Sequence, residues 1–104
     1  MKRSAPLRVI SDRHQDVADI HINPNDGFDL GLMTTQYPIM LELGATEESL
    51  GTGSIPALSG IIYLKNEVAH NTVILNSKTV ADLGLKKAQV RLLYHQGRMS
   101  IVPG

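Results

Sequence analysis

The feature that most constrains this chain is an internal repeat. Residues 20–44 align without a gap on residues 73–97, and both segments contain the run DLGL, at 29–32 and at 82–85. Two copies are too few for a solenoid, whose repeats stack in threes or more. Each copy must therefore bury its apolar face against the other, which predicts a closed body with a pseudo-twofold axis. Other matched positions are Asn23 with Asn76, Gln36 with Gln89, Gly44 with Gly97, Ile20 with Val73 and Ile39 with Leu92.

Each copy has the pattern of a strand, a loop, a second strand, a short helix and a third strand. The runs LRVIS and GIIYL predict the first strands, and DIHIN and TVILN, with apolar residues at every second position, predict the second. The loops between these strands, residues 13–19 and 65–71, are named here the first and second crossover loops. A final strand is predicted within GRMSIVPG at the C-terminus.

The ends of the two helices carry residues suited to capping. Asn23 and Asn76 stand where an N-cap side chain can accept a hydrogen bond from the first turn. Pro24 suits the first helical position, because no N–H is needed there. Gly31 and Gly84 suit the left-handed residue that ends a helix. The predicted helices have about seven residues, so they depend on packing against the sheet.

The length predicts one domain over residues 1–104. Copy one covers residues 6–44 and copy two covers residues 59–104. Residues 45–58, named here the inter-copy loop, are rich in Gly, Ser, Thr and Glu and lack apolar periodicity. We expect this segment to be a surface loop and the most mobile part of the chain.

Composition excludes several classes of protein. The chain has no Cys, which rules out disulfides, thiolate metal sites and a Cys nucleophile. It has neither an apolar run long enough for a membrane span nor the apolar region of a secretory signal, so we expect a cytoplasmic protein and no membrane partner. The net charge is zero, but all Lys and Arg residues lie outside residues 14–64, which hold seven acidic residues. Zero net charge disfavours strong non-specific binding to nucleic acid.

The duplicated unit resembles the double-psi β-barrel superfamily over residues 7–102. The resemblance implies a mainly β protein with two short helices, folded as a six-stranded double-psi β-barrel with internal pseudo-twofold symmetry. It specifies the fold rather than the function, because this barrel hosts several unrelated activities.

Within that superfamily, three branches resemble different parts of the chain. Overall spacing is similar to the amino-terminal barrels of AAA ATPases, which bind adaptor and substrate proteins. The second half, with its DLGLKK helix end and closing GRMSIVP, resembles the AbrB/MazE-type regulators and antitoxins, which dimerise and often bind DNA. The pattern of residues 20–32 is similar to molybdopterin-dinucleotide-binding domains. Aspartate α-decarboxylase shares the fold, but its Gly-Ser cleavage site would align here with Ala18-Asp19.

Polar side chains in the crossover loops are the candidate site. If the pseudo-dyad brings these loops together, Arg13, His14, Asn66 and His70 line a shared polar cleft that binds a ligand or a partner. A basic patch for phosphate or an acidic partner is predicted from Lys86, Lys87, Arg91 and Arg98. No catalytic residue is assigned, since no Ser lies in a nucleophile-elbow motif. The four His residues form no metal-binding motif, so no metal and no cofactor are predicted.

We therefore expect a small binding or regulatory module, more consistent with a non-enzyme than with an enzyme, acting through a protein partner or a small ligand. The first alternative is an AbrB-like DNA-binding regulator or antitoxin, with DNA the less favoured partner and homodimerisation a further option. The second alternative is a molybdopterin-type cofactor-binding subunit of an oxidoreductase.

Overall fold

The structure is a computed structural model that describes residues 1–84 and 89–104. Its strands and helices follow the predicted order in each half. The strands are β1 (Lys2–Arg3), β2 (Leu7–Asp12), β3 (Ile20–Ile22), β4 (Gln36–Leu41), β5 (Leu58–Leu64), β6 (Thr72–Asn76), β7 (Gln89–His95) and β8 (Arg98–Pro103). The helices are α1 (Pro24–Asp29) and α2 (Ser77–Leu83). Within the described ranges, no helix has the length and apolar character needed to cross a bilayer.

The strands close into a barrel. The ring runs β7-β2-β6-β3-β5-β4-β8, and pairing of β8 with β7 closes it, while β1 pairs with β7 outside the ring. The prediction of six strands is wrong, because seven lie in the ring. Gln96 and Gly97 form a two-residue turn with φ of 48° and 82°, the positive values that a primed hairpin turn requires. This turn folds β8 back along β7 and brings it beside Met40 and Leu41 of β4.

The strand registers repeat between the two halves at the 53-residue offset between Asn23 and Asn76. In the parallel pairs, Val9 lies opposite Val73, and Ile62 lies opposite Ile20. In the antiparallel pair of β3 with β6, His21 lies opposite Ile74, its own counterpart in the repeat. The third strand of each half, β4 in the first and β7 in the second, does not keep this offset. The pairing of β4 with β5 is shifted by two residues from the pairing of β7 with β2.

Both helices begin at the predicted caps. The Asn23 side chain accepts a hydrogen bond from Asn25 N at 2.8 Å, and the Asn76 side chain accepts one from Lys78 N at 2.8 Å. Pro24 occupies the first turn of α1, as predicted. Gly84 ends α2 in the left-handed conformation with φ of 58°. These local bonds fix where each short helix leaves the sheet, and packing on the barrel supplies the rest of its stability.

The barrel interior holds the main apolar core. It is built from side chains of all seven ring strands together with the ends of the helices. Its buried members are Leu7, Ile20, Ile22, Leu30, Leu32, Ile39, Leu41, Ile62, Leu64, Val73, Leu75, Val90, Leu92, Met99 and Ile101.

The inter-copy loop is packed against the outside of this barrel. Ala45 and Leu50 are buried with Leu93 in a second small cluster. The Ser100 hydroxyl donates to the Ala45 carbonyl at 2.6 Å, and the fully buried Glu42 carboxylate accepts from Gly51 N at 3.1 Å. The segment lies on the surface as predicted, since residues 46–48 and 51–54 are exposed, but Ala45 and Leu50 are buried. Two buried apolar residues and these two hydrogen bonds hold part of the loop against the barrel.

Candidate functional site

A groove on the described surface lies between the first crossover loop and the beginning of β5. Its volume is about 520 Å³, and we name it the acidic groove. Residues 16–19 form one wall, and the first half of β5 with Tyr63 forms the other. The lining residues are Asp16, Val17, Ala18, Asp19, Leu58, Ser59, Gly60, Ile61 and Tyr63.

A glycine lets the first crossover loop lie directly on β5. A Cβ atom at Gly60 would overlap the Ala18 carbonyl oxygen. Asp19 fastens the loop to the same strand, because its Oδ1 accepts the Ile61 N–H at 3.0 Å. The loop turns just before this point, where Asp19 N donates to the Asp16 carbonyl at 3.1 Å. The wall formed by residues 16–19 is thus positioned by β5 itself.

The second half of the chain holds the other side of the same loop. Gln15 Nε2 donates to Asp19 O at 2.7 Å and to Ile74 O at 2.9 Å. Asn76 Nδ2 donates to the Gln15 carbonyl, and Thr79 Oγ1 donates to the Val17 carbonyl at 2.7 Å. Because side chains from β6 and α2 bind its carbonyl groups, the wall of the groove is ordered before any ligand arrives.

The first residues of β5 have an open backbone edge facing the groove. In the described chain, β3 begins opposite Ile62, so no strand pairs with β5 before that point on this edge. Ile61 N and Lys65 N both donate toward this edge, to Asp19 Oδ1 and to Ile22 O. Backbone groups of a strand alternate with a period of two. The N–H and C=O of Ser59 therefore point into the groove as well.

The two ends of the groove differ in charge. Asp16 is exposed and Asp19 partly buried at one end. At the other end, Tyr63 packs edge-to-face on His21, with ring centroids 5.0 Å apart, and Lys65 Nζ lies 5.3 Å from the Tyr63 ring centroid. Burial, followed by the charge of Lys65, lowers the pKa of His21, so this imidazole is neutral at pH 7. The lining itself carries only negative charge.

The described contacts do not join the polar residues predicted from the two crossover loops. The first crossover loop enters β3 beside Asn76, and the second enters β6 beside Ile22, at the opposite end of the β3–β6 pair. Arg13 Nε lies 3.4 Å from His14 Nε2. Asn66 lines a different groove. Among the described side chains, no hydrogen bond or ion pair joins the Arg13–His14 pair to Asn66 or His70.

His70 instead faces a buried carboxylate of α1. Its Nε2 lies 3.2 Å from Asp26 Oδ1, in an orientation that falls short of hydrogen-bond geometry. Asp26 is fully buried, and its Oδ2 accepts the Asn71 N–H at 2.8 Å. Burial raises the pKa of Asp26, against the opposing effects of the Asn71 hydrogen bond and the His70 charge. The sequence provided no reason to select Asp26 as a functional residue, because an Asp in the first turn of a helix is usually exposed to solvent.

The structure describes two of the four residues of the predicted basic patch. Lys86 and Lys87 lie outside the described residues. Arg91 donates to the Ser4 carbonyl at 3.2 Å. Arg98 Nη1 lies 3.0 Å from Oε2 of the buried Glu42. The two described members of the patch thus contact Ser4 near the N-terminus and Glu42, whose carboxylate also accepts from Gly51 of the inter-copy loop.

A second, smaller groove carries exposed apolar side chains. Its volume is about 170 Å³, and it is lined by residues of α1, the following turn and β5. Phe28 and Met33 on its rim are 64% and 74% exposed. Tyr37 stands nearby with its hydroxyl oxygen accepting the N–H groups of Met33 and Thr34 at 2.7 and 2.9 Å. Hydrogen bonds from this turn, that of Thr34 first, lower the pKa of Tyr37.

Comparison with known proteins gives no identity, because no family model, no curated protein and no solved structure matches this chain. Among the side chains described, no group of three His, Asp or Glu residues is placed to hold a metal ion.

The acidic groove was missed by sequence reasoning, because its walls are far apart in the chain. The signals available in hindsight are Gly60 in an otherwise apolar strand and two aspartates in the first crossover loop.

Proposed function

We propose that this chain is a small non-enzymatic binding module that takes up a segment of a protein partner in the acidic groove. The observation that carries the proposal is the open backbone edge at Ser59, which lies beside half-exposed apolar side chains on an ordered wall. Val17 is 39% and Leu58 44% exposed at this place. A free strand edge next to apolar surface is the arrangement that proteins use to pair with an added strand.

The charges near the groove favour protein over DNA as the partner. The aspartates of the groove repel a phosphate backbone. Arg91 and Arg98, which the DNA-binding alternative requires, are engaged with Ser4 and Glu42. DNA binding would then depend on Lys86, Lys87 and the amino-terminal arginines. A gel shift that weakens steeply as salt rises would favour this alternative.

We also propose that the barrel arose by duplication and belongs to the double-psi type. Support comes from the strand registers and from the two caps. Asn23 Nδ2 donates to the Val68 carbonyl, and Asn76 Nδ2 donates to the Gln15 carbonyl, at the same offset of the repeat. The test is a superposition of residues 7–30 on residues 60–83 in experimental coordinates. Failure of these segments to superpose would refute the duplication.

The binding proposal is tested with two matched double variants. Val17→Glu with Leu58→Glu places charge on two exposed apolar residues of the acidic groove. Phe28→Glu with Met33→Glu makes the same change at two exposed apolar residues outside it. All four sites are exposed, so both variants are expected to fold, which circular dichroism checks. Immobilised wild-type and variant proteins are then compared for the proteins that each captures from the source cell.

Under the proposal, the groove variant loses a specific captured protein that the control variant retains. Equal capture by both variants would contradict it. Loss with the control variant alone would also contradict it and would assign binding to the groove beside Phe28.

A further inference from the structure

We infer that the acidic groove recognises a short extended segment with a Lys or Arg residue close to an apolar residue, and that this segment adds to β5 as a strand. The inference rests on the proposed function and specifies its ligand. The open backbone edge at Ser59 determines the conformation of the segment, and the charge of the groove determines the charge of the segment. The exposed apolar pair, Val17 and Leu58, determines which residues lie beside the charged one.

The backbone edge determines that the segment is extended. Ser59 presents one N–H and one C=O to the groove, while Asp19 Oδ1 already occupies the next N–H along this edge, that of Ile61. An added strand can therefore exchange two main-chain hydrogen bonds with Ser59 before it meets the Asp19 side chain. Only an extended backbone presents its own N–H and C=O with the spacing to match. The pairing is short, so side chains must supply most of the specificity.

The charge determines that the segment is basic. Asp16 and Asp19 both line the groove, and no Lys or Arg is among its lining residues. Asp16 is exposed and available to a ligand, whereas Asp19 shares its carboxylate with Ile61 N. A Lys or Arg side chain beside these residues gains attraction from both, and an acidic side chain is repelled by both. Lys65 is not among the lining residues, and its Nζ lies 5.3 Å from the Tyr63 ring centroid, at the other end of the groove from Asp16.

The exposed apolar pair determines the neighbour of the basic residue. Val17 and Leu58 stand on opposite walls of the groove. A side chain inserted between them removes apolar surface from water on both sides, which stabilises the complex. Side chains alternate along an extended segment, so a basic residue that reaches Asp16 leaves positions one or two residues away to contact Val17 and Leu58. The expected ligand therefore has a Lys or Arg within two residues of a Val, Ile or Leu.

The probe for this inference is a display library of random nonapeptides, selected on the wild-type protein. Clones that bind the Val17→Glu, Leu58→Glu variant equally well are removed. The expected result is enrichment of Lys or Arg next to branched apolar residues. Enrichment of acidic or uncharged peptides, or no groove-dependent clone, would overturn the inference. The proposed function is tested separately, by the capture of proteins from the source cell. It would still hold if the groove variant lost a captured protein that the control variant retained, and it would fail if both variants captured the same proteins.

The best peptide is then synthesised with a fluorophore, and its affinity is measured by anisotropy. Asp16→Asn should weaken binding by about three-fold, the effect of an exposed charge pair, and Asp16→Lys should weaken it further. Glu48→Gln removes an exposed acid outside the groove and should leave the affinity unchanged. Equal effects of Asp16→Asn and Glu48→Gln would contradict a specific basic contact.

The strand pairing is tested with two N-methylated forms of the same peptide. Methylation at alternate residues blocks either the N–H groups that face β5 or those that face solvent. One form should lose binding and the other should retain it. Retention of binding by both forms would overturn strand addition.

Discussion

The two crossover loops are held by equivalent residues of different chemistry. Each loop is bound by the third residue of the helix in the other half. Thr79 of α2 donates its hydroxyl to the Val17 carbonyl at 2.7 Å, whereas Asp26 of α1 accepts the Asn71 N–H at 2.8 Å. The first loop is thus fastened by a neutral group and the second by an ionisable one beside His70. The contact between helix and loop contains a titratable side chain only where α1 holds the second loop.

This difference separates the roles of the two loops. The first crossover loop forms a wall of the acidic groove, and its polar contacts with α2 and β6 contain no titrating side chain. The second crossover loop lies away from that groove, at the opposite end of the β3–β6 pair. Its contact with α1 uses the buried carboxylate of Asp26, where the contact of the first loop with α2 uses the hydroxyl of Thr79. The wall of the acidic groove is therefore held by neutral groups on the side of α2 and β6, and by the Asp19 carboxylate on the side of β5.

The largest effect is expected at the contact of the first crossover loop with β5. Gly60→Ala would place a Cβ atom against the Ala18 backbone. That backbone cannot move without disturbing the hydrogen bonds of its neighbours, from Ile61 N to Asp19 and from Thr79 to the Val17 carbonyl. We expect a loss of about 3 kcal/mol in the free energy of unfolding, measured by chemical denaturation. Ser59→Ala, one residue away, is the control and should cost less than about 0.5 kcal/mol. A Gly60→Ala protein as stable as the control would show that the loop does not rest on β5.

The two Asn caps are expected to have the next largest effect, and they allow the halves to be compared directly. Asn76→Ala removes the helix cap and leaves the Gln15 carbonyl without its donor, for a cost of about 2 kcal/mol. Asn23→Ala makes the same change at Val68. It should cost less, because Asn23 is less buried than Asn76.

An Asp substitution separates the two functions of each cap. Asn76→Asp keeps an oxygen that caps α2 but removes the donor to the loop carbonyl. Because Asn76→Asp also brings a second carboxylate oxygen against the Gln15 carbonyl oxygen, it should be less stable than wild type even though the cap is kept. If the Asp variant is as stable as wild type, the bond from Asn76 to the Gln15 carbonyl contributes nothing to stability.

The caps also show which parts of the molecule the sequence could predict. Asn23 and Asn76 were assigned correctly because capping depends on residues two or three positions apart in the chain. The position of β8 in the ring was missed, because its pairing with Met40 joins residues that are distant in sequence. For the same reason, nothing in the sequence indicated that Asp26 is buried or that Gly60 supports the first crossover loop. Those facts depend on which surfaces meet after the barrel closes.

The smallest effect concerns the pH dependence of the second loop. Folding raises the pKa of Asp26 above its usual 3.8 through burial, so the folded state binds this proton more tightly than the unfolded state. Linkage then requires that the contribution of Asp26 to stability is full below pH 3.8 and is lost as pH rises through the raised folded pKa. Asp26→Asn cannot titrate, so the wild type should become less stable relative to this variant as pH rises from about 3 to about 6.

The matched control for this measurement is Thr79→Ser at the equivalent position of α2. It introduces no titrating group, so its difference from wild type should stay constant over the same pH range. The free energy of unfolding of all three proteins is measured by urea denaturation at each pH. A constant difference between wild type and Asp26→Asn would mean that Asp26 titrates alike in the folded and unfolded states. The claim that the second loop is more sensitive to pH than the first would then be rejected.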